Sequence, residues 1–408
     1  MDEDLAIGRR VRRARDALNL TQEQLAERAG LSVGVVKKIE RGGTCRIDTY
    51  HALASALGLR TSQLFDPPAL GADPHADDRT MALMPLRQAI SPPVTIGGRL
   101  SLTDADEPVA LDRLRRAADS VVGSYYQDDY DELGKLLPPL VQAAHLAVDR
   151  FDDGDDRAAA LELRADVLLM AGRYLTAVRA YDLAHIALRD AVRDAAAVED
   201  RARGAAGVYL QGWMLLRQGR LDETELISVA TADEVEPRIS RASRGELGVW
   251  GRLLLRGSSA AARNNRPGEA REMLRVARTA ALALGGRTAT EMRSWGRFDW
   301  SSVALQAIEN HSVARRPERV LGLARRLPPT LTLTSNTRNR HLLDVAHAHT
   351  QLRQADDAFR ILSALRNSTP GWLQHQGLAR DVFRAARRAK RRPLTWEQRE
   401  VGEFLRVR

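Results

Sequence analysis

The segment LTQEQLAERAGLSVGVVKKIERG, residues 20–42, predicts two short helices that cross closely. Apolar side chains recur where the facing sides of two such helices would lie, at Leu25, Ala29, Leu31, Val36 and Ile39. Ala26 is small enough to let the second helix approach, and Gly30 supplies the turn. Thr21 is a suitable N-cap, and Gln24 completes a capping box. The pattern is typical of a helix-turn-helix, and an ordinary helical hairpin is the alternative.

The residues left outside this core form one candidate surface. We expect the outer face of the second helix to carry Ser32, Val33, Gly34, Lys37, Lys38 and Arg41. In a helix-turn-helix the second helix enters the major groove of DNA with its N-terminal residues towards the base edges. Gln22 opens the first helix, whose free N–H groups suit a phosphate oxygen. A solvated helix end is the alternative for the two lysines.

Base readout is expected to be uneven along this face. Val33 and Gly34 offer no side-chain hydrogen bond to a base edge, although Val33 suits a thymine methyl group. Direct readout is therefore expected mainly from Lys38 and Ser32, assisted by DNA shape.

Residues 5–66 resemble the Cro/CI-type (XRE) family of repressors, on the strength of this motif. The resemblance implies a five-helix domain, with a first helix over 5–18, the two motif helices, a fourth over 48–57 and a fifth over 61–65. It also implies DNA contacts at Gln22, Ser32, Val33, Gly34 and Lys38. We include Lys37, Arg41 and Arg46 among the DNA-binding candidates.

Length and charge limit the remaining possibilities. A chain of 408 residues with 44% hydrophobic residues predicts two or more domains. The net charge of +9 and a pI near 10.1 favour a polyanionic partner. Residues 378–408 contain ten basic and four acidic side chains. This basic end is interpreted as a solvated helix end, with a second phosphate-contacting surface as the alternative.

Cysteine usage and hydropathy predict where the protein acts. Cys45 is the single cysteine, so an intrachain disulfide is impossible. The chain begins MDED, unlike a signal peptide, and has no apolar run of 18 residues. We therefore predict a cytoplasmic, nucleoid-associated protein with no membrane partner.

Proline and glycine mark the boundary between two domains. They are concentrated between residues 66 and 108, which predicts a linker with one short helix over 81–90. The predicted domains are a DNA-binding domain at 1–66, a Pro/Gly-rich linker at 67–104 and a helical region at 105–408.

The helical region contains an internal repeat. The pattern Gly172-x-Tyr174-x2-Ala177 resembles the second half of a tetratricopeptide (TPR) unit, in which we expect the glycine to make the turn. Weaker copies follow, with small or β-branched anchors at Thr224, Ala270, Val320 and Ala358. The spacings from Ala177 onwards are 47, 46, 50 and 38 residues, longer than the 34 of an ideal unit. The predicted fold is therefore all-α, a five-helix DNA-binding domain followed by a TPR-like α-solenoid of irregular helix pairs.

A solenoid of this kind has a concave face that suits a ligand or a partner chain. Aromatic residues are candidates to line that face or to fill the core, at Tyr125, Tyr126, Tyr209, Trp250, Trp295, Trp300 and Trp372. The two predicted domains together resemble TPR-containing XRE regulators of actinobacteria and, more distantly, peptide-sensing regulators of Gram-positive quorum signalling. The resemblance implies this architecture. We expect the helical region to supply the contacts of a homodimer, a pocket for a peptide or small-molecule effector, or both.

Catalytic signatures are lacking in the sequence. It has no phosphate-binding loop, no dinucleotide-binding glycine fingerprint and no nucleophile elbow. His341, His347 and His349 are interpreted as surface or interface residues because their spacing does not bring three rings together. The carboxylates at 152–156 lack the glutamate that a calcium loop needs at its twelfth position. We expect no enzyme activity, no cofactor and no metal.

These observations lead to two hypotheses. In the first, the protein is a sequence-specific transcriptional regulator that binds double-stranded operator DNA as a dimer and senses an effector through its helical region. In the second, the helical region is a scaffold for a protein partner, and the N-terminal domain is a weak tether to DNA.

Overall fold

A computed structural model describes residues 2–43, 47–59, 64, 83–96, 110–126, 130–289, 297–328, 331, 333–390 and 392–407. The described residues form twenty α-helices and no strand. Ala289 and Phe298 form an isolated antiparallel bridge. The prediction of an all-α fold is confirmed. The chain divides into two compact units, Met1–Leu83 and Met84–Arg408.

The first unit contains four described helices. They are α1 (Asp2–Ala17), α2 (Gln22–Ala29), α3 (Val33–Glu40) and α4 (Ile47–Ala56). The first helix begins three residues earlier than predicted. The predicted fifth helix over 61–65 lies outside the described residues, apart from Leu64. Ten buried apolar residues form the core of this unit, namely Ile7, Val11, Leu25, Ala26, Val36, Ile39, Leu53, Ala54, Leu57 and Leu64.

The second unit contains sixteen described helices. The first eight are α5 (Met84–Ile90), α6 (Leu111–Tyr126), α7 (Tyr130–Arg150), α8 (Gly154–Ala177), α9 (Tyr181–Ala197), α10 (Arg201–Gln218), α11 (Leu221–Glu234) and α12 (Arg244–Arg263). The remaining eight are α13 (Pro267–Ala283), α14 (Trp300–Val313), α15 (Pro317–Ala324), α16 (Ser335–Gln351), α17 (Ala355–Ser368), α18 (Pro370–Leu373), α19 (Gly377–Ala389) and α20 (Trp396–Phe404). The short helix α5, predicted over 81–90, packs on α7 through its buried residues Leu86, Ala89 and Ile90.

Five helix hairpins repeat along the second unit, α8–α9, α10–α11, α12–α13, α14–α15 and α16–α17. Each turn contains one residue with left-handed backbone, in order Arg179, Gly219, Asn265, Arg315 and Arg353, with φ between 53° and 80°. In each turn the next residue donates its N–H to the carbonyl five positions earlier, at 2.9 to 3.0 Å. This bond satisfies a carbonyl that the end of the first helix leaves open. The five hairpins therefore share one turn conformation and one turn hydrogen bond.

The anchor residues of the sequence repeat occupy one equivalent position. Thr224, Ala270, Val320 and Ala358 each lie five residues after their turn residue, and all are buried. In the first hairpin the equivalent residue is Ala184, which is also buried, so the predicted anchor Ala177 was wrong by seven positions. The physical reason is that Gly172 lies inside α8 and not in the turn.

Gly172 lies inside α8 and does not form the turn, contrary to our expectation. A Cβ atom at this position would lie 2.4 Å from Leu188 Cδ2 on α9. The glycine is therefore required because the two helices pack closely there, and the turn lies seven residues later. Small residues in a helical repeat mark close packing as readily as they mark turns.

The first helices of the hairpins form an inner row. Helices α8, α10, α12, α14 and α16 each contact the next member of this row as well as their own hairpin partner. The two ends of the array also meet, because Asn336 on α16 donates to the hydroxyl of Tyr125 on α6 at 3.4 Å. Arg217 on α10 likewise donates to the carbonyl of His375 at 3.4 Å. The inner row consequently encloses a cavity.

Candidate functional site

The helix-turn-helix predicted from residues 20–42 is present as α2 and α3. The Thr21 hydroxyl accepts from Gln24 N–H at 3.2 Å, and Thr21 N–H donates to Gln24 Oε1 at 2.8 Å. The predicted capping box is therefore confirmed. Gly30 ends α2 with a left-handed backbone, φ 63°, and an added Cβ would meet nothing within 4 Å. The turn requires glycine for its backbone conformation and not for space.

The inward positions of the motif agree with the sequence pattern. Leu25, Val36 and Ile39 are fully buried, and Ala29 and Leu31 are half-buried against the same core. These contacts hold α3 against α2, so the opposite face of α3 is presented outward.

Gly8 on α1 provides a contact that the pattern did not reveal. A Cβ atom at Gly8 would lie 2.2 Å from the carbonyl oxygen of Ile39. The backbones of α1 and α3 therefore touch at this point, and only glycine allows the approach. The close crossing fixes the position of α3 from its rear side.

Glu40 provides the second contact that sequence reasoning missed. Its carboxylate accepts from Arg15 Nε at 2.7 Å and from Gln22 Nε2 at 2.6 Å. The side chains of Glu40 and Arg15 are only 5% and 11% exposed. The hydrogen bond to Glu40 raises the pKa of Arg15, so the guanidinium stays charged. One buried carboxylate thus joins the end of α3 to α1 and to the start of α2.

The sequence did contain a signal for this role. An acid in the last turn of a helix faces the negative end of the helix dipole, which is unfavourable unless a cation lies beside it. Glu40 is such an acid, and α1 carries five arginines between residues 9 and 15.

Most of the predicted DNA-binding residues lie on the outer surface of α3. Ser32, Gly34, Lys37, Lys38 and Arg41 are exposed. Lys37 Nζ lies 3.8 Å from Glu23 Oε1, an exposed ion pair that contributes little to stability. The ammonium groups of Lys37 and Lys38 and the guanidinium of Arg41 give this surface its positive charge.

The other three predicted DNA-binding residues are Val33, Gln22 and Arg46. Val33 is half-buried and packs against the core, so only part of its side chain faces outward. Gln22 is also half-buried, and its amide N–H is engaged by Glu40. Arg46 and the neighbouring Cys45 lie outside the described residues.

The second unit contains a cavity of about 330 Å³ on its inner row of helices. Arginine and aromatic side chains from α6, α8, α10 and α12 line one side of it, and α14 and α16 line the other. Three of the aromatic candidates line the cavity: Tyr125 and Trp372 are buried in its wall, and Tyr209 is half-buried there. Trp250 and Trp300 do not line it; Trp250 is buried elsewhere, and Trp300 is 43% exposed. Trp295 and the side chain of Tyr126 lie outside the described part of the chain.

The three clustered histidines are half-buried between helices and are not free on the surface. His347 forms hydrogen bonds with Ser312 and Gln351 at 3.2 Å, and His349 with Gln354 at 2.7 Å. His341 faces the cavity, and burial lowers its pKa. Among the described residues, no three metal-ligating side chains come together as a metal site would require. None of the described helices combines the length and apolar composition needed to cross a membrane.

Comparison with known proteins identifies the motif. Residues 11–64 match the family model HTH_3, described as Helix-turn-helix. The comparison with curated proteins finds no match. Among solved structures, the chain is similar to PlcR of Bacillus thuringiensis, crystallised in complex with the peptide PapR7 and DNA. The identity is 11% and the TM-score 0.31, over 87% of this chain and 98% of that one.

The first unit thus contains a helix-turn-helix whose sequence matches an XRE-type family model over residues 11–64. In helix-turn-helix domains that bind DNA, the second motif helix lies in the major groove, and α3 is the equivalent helix in this unit.

Proposed function

We propose that this protein is a transcriptional regulator that binds operator DNA through α3 and responds to an effector bound in its second unit. The outward presentation of Lys38 on a helix held by the Gly8 and Glu40 contacts is the observation that carries the proposal. We retain the functional division of the chain into a DNA-binding part at 1–66, a linker at 67–104 and an effector-binding part at 105–408.

The proposed roles differ among the candidate residues. Lys38 and Ser32 read base edges, since their side chains carry hydrogen-bonding groups on the exposed face. Val33 contacts a thymine methyl with the part of its side chain that faces outward. Gly34 lets the DNA backbone come close. Gln22, Lys37, Arg41 and Arg46 contact phosphates.

We further propose that the active form is a homodimer. Two copies of α3 would then bind half-sites about one helical turn apart, and the operator would share the two-fold symmetry of the protein. Effector binding changes DNA affinity only if the ligand prefers one arrangement of the dimer.

Fluorescence anisotropy on the DNA upstream of the chain's own coding sequence tests the proposal. Scrambled DNA of the same composition is the reference, and both are titrated at salt concentrations from about 50 to 200 mM. We expect Lys38→Ala to lose about 1 to 3 kcal/mol of binding to the operator and much less to the scrambled DNA. Arg41→Ala should weaken binding to both DNAs alike.

Arg28→Ala is the matched control. Arg28 is exposed on α2 but lies beside Ala52 and Ala56 of α4. Its removal changes the net charge by the same amount and should leave both affinities close to those of the parent protein. Equal affinity of the parent protein for operator and scrambled DNA would reduce the first unit to a weak tether and contradict the regulator.

A further inference from the structure

The wall of the inner cavity carries more positive than negative charge. Seven arginines line it, against three carboxylates. Low-dielectric walls of one charge sign raise the local concentration of ligands of the opposite sign. The cavity volume of about 330 Å³ is within the range of small-ligand sites.

The three carboxylates are engaged on one side of the cavity. Glu309 Oε1 accepts from Arg263 at 2.5 Å and from Arg340 at 3.3 Å. Asp344 accepts from the same Arg340 at 3.5 Å. Asp299 caps α14, accepting from the backbone of Ser301 at 2.9 Å. These acids lie on α14 and α16 or at the N-terminal cap of α14, and each has partners. Burial raises the pKa of Glu309, but Arg263, Arg340 and Arg256 together lower it, so this carboxylate offsets part of the positive charge of the wall.

On the opposite side, three arginines stack on two phenol rings. The guanidinium carbons of Arg252 and Arg256 each lie 4.6 Å from the ring centre of Tyr209. Arg173 stacks on Tyr125 with its guanidinium carbon 4.2 Å from the ring centre. Arg256 Nε is buried and has no hydrogen-bond partner among the described residues. A buried donor of a charged group without an acceptor is costly unless a ligand supplies one.

Tyr209 lies in the electric field of these arginines. Burial by itself raises the pKa of a phenol, because it disfavours the phenolate. Here the guanidinium groups of Arg256, Arg252 and Arg173 outweigh burial and lower the pKa of Tyr209 to about 8. The guanidinium groups that favour the phenolate of Tyr209 favour a bound anion in the same way.

We propose that this cavity binds a small organic anion, with its carboxylate or phosphate group held by Arg173, Arg252 and Arg256. The planar guanidinium matches both oxyanions with paired hydrogen bonds. The apolar or aromatic body of the ligand lies against Trp213, Leu216 and Leu305, which line the same cavity. This inference rests on the proposed effector role of the second unit and assigns the chemical class of the effector.

Calorimetric titration of the full chain without DNA tests the proposal. The probes are phenyl phosphate, phenylacetate and the neutral phenylacetamide, in a buffer free of other oxyanions. We expect saturable binding of at least one of the two anions, and which anion binds more tightly separates a phosphate from a carboxylate effector. Phenylacetamide should bind at least tenfold more weakly than the tighter anion. Equal binding of the neutral probe, or no binding of either anion up to about 10 mM, overturns the proposal.

Two variants locate the binding. Arg256→Gln and Arg252→Gln should each weaken anion binding at least tenfold, since each removes one charged donor. Arg278→Gln is the matched control, because Arg278 is exposed on α13 and does not line the cavity. Equal affinity in all three variants overturns the assignment. Circular dichroism verifies that each variant is folded, and either cavity variant alone is sufficient for the comparison.

A spectroscopic measurement gives an independent readout. An anion bound beside Tyr209 opposes the arginine charges, so it should shift the ionisation of one phenol to higher pH in the near-ultraviolet absorption. Tyr209→Phe should abolish this shift, and its persistence in that variant overturns the assignment to this cluster. No DNA is present in these measurements, so their outcome does not depend on whether the first unit binds an operator.

Discussion

Glu40 lies in the last turn of α3, and its contacts decide how firmly the recognition helix is held. Arg15 and Gln22 share its carboxylate, and both Arg15 and Glu40 are nearly inaccessible to solvent. Removing one partner of a buried pair leaves the other charge without compensation, which costs more than the pair itself contributes. The anchoring of α3 therefore depends on one side chain.

We expect Glu40→Gln to lower the free energy of unfolding of the first unit by about 2 to 4 kcal/mol. Hydrogen exchange of the α2 and α3 amides in the full chain measures the change. Glu27→Gln is the control, because Glu27 is an exposed acid on α2. If the two variants exchange at the same rate, Glu40 does not anchor α3.

His145 on α7 is a buried histidine, 7% exposed, whose Nε2 has no partner among the described residues. Burial and, to a smaller extent, the charge of Arg164 lower its pKa from 6.5 to about 4. At pH values between about 4 and 6.5, His145 binds a proton in the unfolded chain and stays neutral in the folded chain. The histidine therefore makes the folded state less stable as the pH falls from about 6.5 towards 4.

Urea unfolding of the parent protein and of His145→Gln at pH 7 and pH 5 checks this dependence. The parent protein should lose about 2 kcal/mol more than the variant on going from pH 7 to pH 5. His185→Gln, in which an exposed histidine on α9 is replaced, should behave as the parent does. Identical losses in His145→Gln and the parent would contradict the assignment.

The crossing of α1 over α3 is set by a single glycine. Because the Cβ of any other residue at position 8 would meet backbone, neither helix can adjust by a side-chain rotation. Gly34, on the outer face of α3, is the opposite case, since an added Cβ would meet only Ser32 Oγ at 3.9 Å. Two glycines in one small unit thus serve different purposes.

We expect Gly8→Ala to destabilise the first unit by about 1 to 3 kcal/mol through overpacking. Gly34→Ala should instead stabilise it by about 0.5 to 1 kcal/mol, because alanine is the better helix former. Hydrogen exchange of the α3 amides measures both changes in the full chain. A neutral effect of Gly8→Ala would show that the two helices separate without loss. DNA binding by Gly34→Ala reports whether the glycine is needed for the approach of a phosphate backbone.

The helices and turns of the second unit could be predicted in outline from local signals. Its anchors were placed correctly at four hairpins, because a small or β-branched residue at a fixed distance from a turn leaves a visible period. The sequence pattern favours Ala177 over Ala184 as the first anchor because a glycine inside a helix and a glycine in a turn look alike in sequence. Only the packing of Leu188 against Gly172 separates the two cases.

Asn336 provides one of the contacts that close the array in the second unit. Its side chain donates to Tyr125 on α6 and accepts from the indole N–H of Trp372 at 3.1 Å. Trp372 is 2% exposed, so no water replaces Asn336 as the acceptor. One amide therefore joins the first and last parts of the helical array.

We expect Asn336→Ala to lower the free energy of unfolding of the second unit by about 1 to 3 kcal/mol, the range for a buried donor left without an acceptor. Thermal unfolding followed by tryptophan fluorescence is a suitable measurement. Asn367→Ala is the control, because Asn367 is exposed on α17. A larger effect in the control than at Asn336 would contradict a closing role.

The helix-turn-helix was readable in residues 20–42 because its defining contacts span few residues. Thr21 and Gln24 cap one helix, Gly30 makes the adjoining turn, and the apolar period points both helices inward. Local conformational preferences and a short apolar period are properties of the chain before it folds. The local pattern does not indicate the close contact at Gly8, because its partner Ile39 lies on another helix.

The cavity, in contrast, could not be recognised along the chain. Arg173, Tyr209 and Arg256 belong to three different hairpins, and no local rule connects an arginine on one helix with a phenol two helices later. They meet because equivalent faces of α8, α10 and α12 are stacked, and because residues as far apart as Tyr125 and Asn336, 211 positions in sequence, close the array. Long-range packing creates both the burial and the charge density there, and neither is a property of any single segment.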